Sequence, residues 1–226
     1  MTAAPTPIAM LGGTFDPVHY GHLRFADDVR RALGLAEVRL VPAADPPHRD
    51  RPTASAADRL AMLRLAVAEF PGLAVDDREL RRAGKSFTVL TLEELRGEFP
   101  GSPILVLLGA DAFRGLPSWH RWRELFGLAH FVVVERPGVS LEAGLPAPLH
   151  AIWRERRVDD PGILISRPAG AIFVQAIAPV DVSATLIRDR VAHEGNAGTK
   201  WRGLLPPAVL AYIERHHLYL RGSDAS

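Results

Sequence analysis

Two histidines three residues apart, His19 and His22, close a stretch that opens on two adjacent glycines: Leu11-Gly12-Gly13-Thr14-Phe15-Asp16-Pro17-Val18-His19-Tyr20-Gly21-His22-Leu23. An imidazole N–H can donate to a phosphate oxygen. Glycine lacks a Cβ, so a ligand can approach the backbone closely. Residues three apart share one face of a helix. Together these types and spacings point to binding of a phosphate, although each alone also fits a plain turn or a surface histidine. The dinucleotide fingerprint does not account for the stretch, because Gly12-Gly13-Thr14-Phe15 does not fit G-x-G-x-x-G, and no Gly-Lys-Ser/Thr triplet of a P-loop occurs. A second cluster, Ser183, Thr185 and Arg188, lies near the other end of the chain. A hydroxyl, free N–H groups and a guanidinium at one helix start make an anion site. On its residues alone, that cluster also fits an ordinary capped helix with a solvated arginine.

The elements that must position these groups can be read around them. Ile8 to Leu11 is a short apolar run, and after the first motif Leu23, Ala26, Val29 and Leu33 alternate with Arg24, Asp27, Asp28 and Arg31 at helical spacing. The order is therefore strand, glycine turn, helix, which presents unpaired N–H groups and the positive end of a helix dipole. Ser183 reads as the N-cap of the second helix, which runs to about His193. Between the motifs the sequence predicts a strand over 38–42 and a helix opened by Ser55 to Asp58. A short strand over 73–76 follows, then a loop over 77–86 and a helix from Phe87 for which Thr88 is a candidate cap. Arg59 is left open between the site and solvent.

Ile104 to Leu108 is apolar throughout, as a central parallel strand buried on both faces requires. It ends at Gly109-Ala110-Asp111, where ligands bind in open α/β sheets. Asp111 can accept from a ribose hydroxyl and can cap a helix from Ala112. Trp119 and Trp122 suggest one face of a helix that finishes over 125–129. Strands over 130–135 and 171–175 follow, with peripheral structure over 139–169, a closing helix from Leu205 and a disordered tail over 221–226. The alternation of strands and helices predicts an α/β fold, a doubly wound parallel sheet with helices on both faces, in one domain over 1–226 with its core about 7–219.

Composition narrows the classes further. A formal net charge of +1 provides no global field for nucleic acid or an acidic membrane surface. The chain has no cysteine, which excludes disulfides and thiolate metal sites and fits a reducing compartment. No secretory signal is legible at residues 1–7, and the longest apolar run is too short to cross a bilayer, so a cytoplasmic location is expected.

Gly12 to Leu23 resembles the G-G-T-F-D-P-x-H-x-G-H-L signature of the adenylyltransferases of pyridine nucleotide biosynthesis, and the shorter His19-x-Gly21-His22 core is similar to that of the wider nucleotidyltransferase superfamily. Val182-Ser183-Ala184-Thr185-Leu186-Ile187-Arg188 is similar to the family's I-S-S/A-T-x-I-R string. The resemblance runs from Gly12 to Tyr219, poorly over 139–169, and implies a Rossmann-like nucleotidyltransferase fold. It also implies adenylyl transfer from ATP to nicotinate mononucleotide, giving deamido-NAD and pyrophosphate. On that likeness Gly12, Gly13, Thr14, Phe15, His19, His22, Ser183, Thr185 and Arg188 hold ATP, with His19, His22 and Arg188 catalytic. Arg49, in a P-P-H-K/R-like loop where lysine is common, closes over ATP.

Asp16, Thr88, Gly109, Asp111 and Trp119 are carried over to the mononucleotide, Trp119 stacking on the pyridine ring. Phe87 stands where the family has tyrosine, and Val182 where it has isoleucine. Mg²⁺ is expected, bound mainly through the ATP phosphates with no protein ligand named. A nicotinamide-mononucleotide or pantetheine-phosphate adenylyltransferase, or a non-catalytic nucleotide sensor, are the alternatives. Neither the acid-versus-amide preference nor the oligomeric state is legible.

Overall fold

The apolar runs become the strands of a single sheet. The computed structural model describes residues 5–45, 52–135, 140–178, 180–195 and 201–220. Its strands are β1 (Ile8–Gly13), β2 (Val38–Pro42), β3 (Leu73–Val75), β4 (Ile104–Gly109), β5 (His130–Glu135), β6 (Arg157–Val158) and β7 (Ile172–Ala176). All pair in parallel, in the order β3-β2-β1-β4-β5-β7-β6. The chain runs outward from β1 through β2 to β3, then returns to the other side of β1 with β4. That reversal separates the loops leaving β1 and β4 and opens a crevice at their carboxyl ends.

The helices are α1 (Tyr20–Ala32), α2 (Ala56–Val67), α3 (Arg78–Arg81), α4 (Thr88–Glu98), α5 (Ala110–Arg114), α6 (Leu125–Leu128), α7 (Ala147–Arg156), α8 (Ile163–Ser166), α9 (Ala184–Glu194) and α10 (Pro207–Arg215). Side chains alternate across each strand, and here both faces are covered. Leu105 and Leu107 of β4 enter a core with Leu23 and Val29 of α1, Leu63 of α2, Ile187 of α9 and Ile213 of α10. Ile104, Val106 and Leu108 enter a second core with Leu92 of α4, Phe113 of α5 and Trp153 of α7. The doubly wound sheet expected from the sequence is therefore the fold observed. The stretch over 139–169 contributes more than a periphery: Leu149 and Trp153 fill the second core, and β6 lies at the sheet edge.

Several local expectations are corrected. The stretch over 77–86 contains the short helix α3, held by ionic contacts that leave no apolar periodicity. Buried Arg78 forks onto Glu98 at 3.0 and 3.1 Å and reaches Asp76 at 2.8 Å, and Thr91 Oγ1 donates to Glu79 at 2.6 Å. Thr88 does not cap α4, because Phe87 takes the N-cap position and Thr88 is the first helical residue. Asp111 does not cap either: Gly109 does, and Asp111 sits in the first turn of α5, exposed, paired with Arg114 at 3.1 Å. The tryptophans do not share a helix. Trp119 is extended after a 3-10 turn over 116–118, Arg121 has φ +53°, and regular helix resumes only at α6. Gly34 stops α1 as expected, at φ +62°.

His130 ties β5 to the segment leading into β7. Its ring is fully buried. The Ala171 N–H donates to Nδ1 at 3.0 Å, so Nε2 carries the proton and donates to the Arg167 carbonyl at 2.8 Å. Both nitrogens are satisfied only in the neutral ring. Burial, the largest cause, lowers its pKa below the usual 6.5. The unfolded chain then takes up a proton before the folded one as pH falls, so this contribution is complete above about 6.5 and is lost below it. Urea unfolding at pH 7.5 and 5.5 should show a smaller acid-induced loss of stability for His130→Gln than for the unmodified protein. Equal losses would remove His130 as a source.

Candidate active site

The first motif leaves β1 and turns directly into α1, with His19 at the N-cap position. Its side chain makes no capping bond. The rings of His19 and His22 stack at 3.8 Å and 22°, and Phe15 meets His22 edge-on at 5.0 Å. The expected shared face is therefore observed. His19 is 4 % exposed, and burial lowers its pKa to about 4. Near pH 7 it is a neutral imidazole.

The glycines have separate reasons. A Cβ on Gly21 would lie 2.7 Å from Val182 Cγ1 and 2.9 Å from Cε1 and Nδ1 of His19. A Cβ on Gly13 would meet the Phe15 ring at 2.9 Å. At Gly12 the nearest contact would be Met10 Cε at 3.9 Å, so the backbone there stays open. The Gly21 contact also shows how the two motifs meet: Val182, just before α9, packs on the start of α1.

At α9, Ser183 is the N-cap and its Oγ accepts from the Leu186 N–H at 3.1 Å, which leaves the hydroxyl proton for another acceptor. Arg188 donates from Nη2 to Thr185 Oγ1 at 3.3 Å and from Nη1 to the Asp16 carbonyl at 2.7 Å. Neither acceptor is charged.

The Asp16 carboxylate is engaged elsewhere. Oδ2 accepts from the Thr53 N–H at 2.7 Å, and Oδ1 accepts from the Ala54 N–H at 3.1 Å and the Tyr219 hydroxyl at 2.7 Å. At 4 % exposure it is a buried clamp. Arg59 points neither to the cleft nor to solvent. It is 1 % exposed and donates to the carbonyls of Thr14 at 2.8 Å and Ala43 at 2.7 Å, pinning the glycine turn to the exit of β2.

These elements enclose a cleft of about 1690 Å³ at the sheet reversal. Gly12, Gly13, Thr14, Phe15, Asp16, His19, His22, Gly109, Asp111, Ser183, Thr185 and Arg188 all line it. Thr88 and Trp119 line a smaller pocket of about 270 Å³ that shares Gly12, Gly13 and Thr14 with the cleft. Phe87 and His120, whose rings lie 4.4 Å apart, form part of its wall. Arg24 at the cleft and His120 in the smaller pocket were not singled out from sequence, although both adjoin residues that were. Arg49 lies outside the described residues. Among those residues no group of three His, Cys, Asp or Glu side chains could hold a metal ion, and no helix is long and apolar enough to cross a membrane.

Donors from two helix starts meeting where a doubly wound sheet reverses define a nucleotidyltransferase site, and a cytidylyltransferase-like family model matches residues 10–190. The chain is 52 % identical over 202 residues to a probable nicotinate-nucleotide adenylyltransferase of Halorhodospira halophila, covering 89 % of this chain and 90 % of that one. It is 49 % identical over 228 residues to another from Laribacter hongkongensis, across the whole of both. The chain belongs to the nicotinate-nucleotide adenylyltransferase family. The fold is also that of a Plasmodium falciparum nicotinic acid mononucleotide adenylyltransferase solved with NaAD, at a TM-score of 0.70 and 18 % identity over 95 % of this chain and 97 % of that one.

Two outcomes follow from this geometry. Gly21→Ala should leave the protein folded but displace the His19 ring or Val182, and a displacement near 1 Å costs roughly 100-fold in turnover; activity within a few-fold of the unmodified protein would show the contact to be dispensable. By NMR, the His19 imidazole should titrate near pH 4 in the free protein. Added pyrophosphate should raise that midpoint, because an anion nearby favours the charged ring. An unchanged midpoint would place the anion away from His19.

Proposed function

We propose that the cleft joins ATP and nicotinate mononucleotide through the 5′-phosphate of the mononucleotide, which attacks the α-phosphorus of ATP. A P–O bond forms there, the α–β bridging bond breaks, and pyrophosphate leaves carrying the electron pair. The observation that carries this reading is the convergence of His19, His22, Ser183, Thr185 and Arg188 on one cleft that continues into the Trp119 pocket. The nucleophile is already an anion at neutral pH, so no general base is needed. The work is alignment and charge neutralisation.

The triphosphate lies between the starts of α1 and α9. His19 and His22 donate to it from one side; Ser183, Thr185 and Arg188 donate from the other. Arg188 offsets charge on the departing pyrophosphate. The pyridine ring stacks on Trp119, with Thr88 at its edge, while Gly109 and Asp111 face the mononucleotide at the end of β4. Asp16 acts through its backbone and its clamp. A divalent cation, magnesium in our reading, would be held mainly by the ATP phosphates and water and would offset their charge. Asp16 is already engaged by three donors and Asp111 pairs with Arg114. The reaction is assigned to the cytoplasm.

Pyrophosphate release is measured with ATP and magnesium against nicotinate mononucleotide, nicotinamide mononucleotide and phosphopantetheine. The nicotinate substrate should be strongly preferred, and His22→Ala should lower kcat/KM by about 100-fold or more. Comparable rates with the amide would sink the acid specificity. ATP binding without release from any acceptor would favour a nucleotide sensor.

A further inference from the structure

Tyr219 lies 203 residues from Asp16, yet its hydroxyl donates to Asp16 Oδ1 at 2.7 Å. It is 8 % exposed and has φ +67°, in the left-handed region that a bulky side chain seldom adopts. A residue held in that conformation, with a buried polar tip, is fixed by what it touches. What it touches belongs to the residue whose carbonyl accepts from Arg188 Nη1 at 2.7 Å.

The charges around Asp16 make the contact consequential. The carboxylate has three donors: two backbone N–H groups and this phenol. Arg188, by contrast, makes no ion pair among the described residues, and its hydrogen bonds go to a carbonyl and a hydroxyl. A carboxylate lacking a donor draws a nearby guanidinium into a paired geometry, the strongest arrangement open to both. An Arg188 so paired would be neutralised and turned from the cleft.

We propose that Tyr219 is a positioning residue for adenylyl transfer: by donating to the Asp16 carboxylate it keeps that charge from capturing Arg188, whose guanidinium then remains available to the phosphates. The inference rests on the adenylyl-transfer reading of the cleft. It also makes the segment after α10 part of the site's construction.

The test removes one oxygen. Tyr219→Phe should lower kcat about ten-fold, the scale of one charge-assisted hydrogen bond, with the KM for nicotinate mononucleotide unchanged. Inorganic pyrophosphate, titrated by calorimetry, should bind about ten-fold more weakly. Tyr212→Phe is the control: it removes the other tyrosine–aspartate bond of this region, from Tyr212 to Asp58 at 3.0 Å, and should change neither quantity. In an Arg188→Ala background Tyr219→Phe should have little further effect on pyrophosphate binding. A lower Tm with unmodified kcat and pyrophosphate affinity would overturn the proposal, as would equal fold losses with and without Arg188. Unmodified protein that releases no pyrophosphate from ATP and nicotinate mononucleotide would overturn the reaction instead, and the pyrophosphate titration would still decide the role of Tyr219.

Discussion

The buried carboxylate of Asp16 joins parts of the chain that are far apart in sequence. Through its two carboxylate oxygens Asp16 fixes the segment leading into α2 and Tyr219 beyond α10, and through its carbonyl it fixes Arg188 of α9. A buried carboxylate is costly unless hydrogen-bonded, and breaking such an arrangement leaves an uncompensated charge. The same saturation that makes Asp16 tolerable in the interior makes it rigid. Arg59 adds to this: its guanidinium, almost wholly buried, feels the Asp16 charge and binds the carbonyls of Thr14 in the turn and Ala43 after β2. The turn bearing the open glycine is thus held through the Thr14 backbone oxygen, away from the open space at Gly12.

This arrangement bears on the choice of histidine at the start of α1. A site for a triphosphate collects donors, and if all were cations they would repel one another in the free protein. His19 avoids this. Burial keeps it neutral near pH 7, so it offers an N–H without a charge to be solvated. Helix starts contribute in the same way, as partial charges fixed by the backbone. Arg188 approaches from the opposite helix, and among the described residues its hydrogen bonds go to a carbonyl and a hydroxyl rather than to carboxylates.

How much of this could be read from sequence follows the distance between partners. His19, Gly21 and His22 act within one turn of helix, and Ser183, Thr185 and Arg188 within about a turn and a half, so their spacing alone carried the geometry. The alternation of fully apolar strands with amphipathic helices was enough for the sheet. Arg59 and Tyr219 were opaque because what defines them lies 45 and 203 residues away. The clamp at Asp16 was opaque for a related reason: its carboxylate partners Thr53, Ala54 and Tyr219 lie far along the chain. α3 was invisible because ion pairs, not an apolar stripe, hold it. Trp119 and Trp122 have helical spacing, but the left-handed Arg121 between them breaks the helix that spacing suggests.

On the proposed reading of the cleft, the same loop also accounts for how two substrates would react without a base. The large cleft and the Trp119 pocket share the wall formed by Gly12, Gly13 and Thr14. Any bulky side chain on that wall would stand between a triphosphate on one side and a mononucleotide phosphate on the other. At Gly13 the Phe15 ring already occupies the place of a side chain, and at Gly12 the space is left open. Two anions brought together there repel, so the approach is favourable only if donors on both flanks are fixed beforehand and need no rearrangement. The stacked histidines on one flank and the anchored arginine on the other meet that requirement, which is why the chemistry of this site resides in placement.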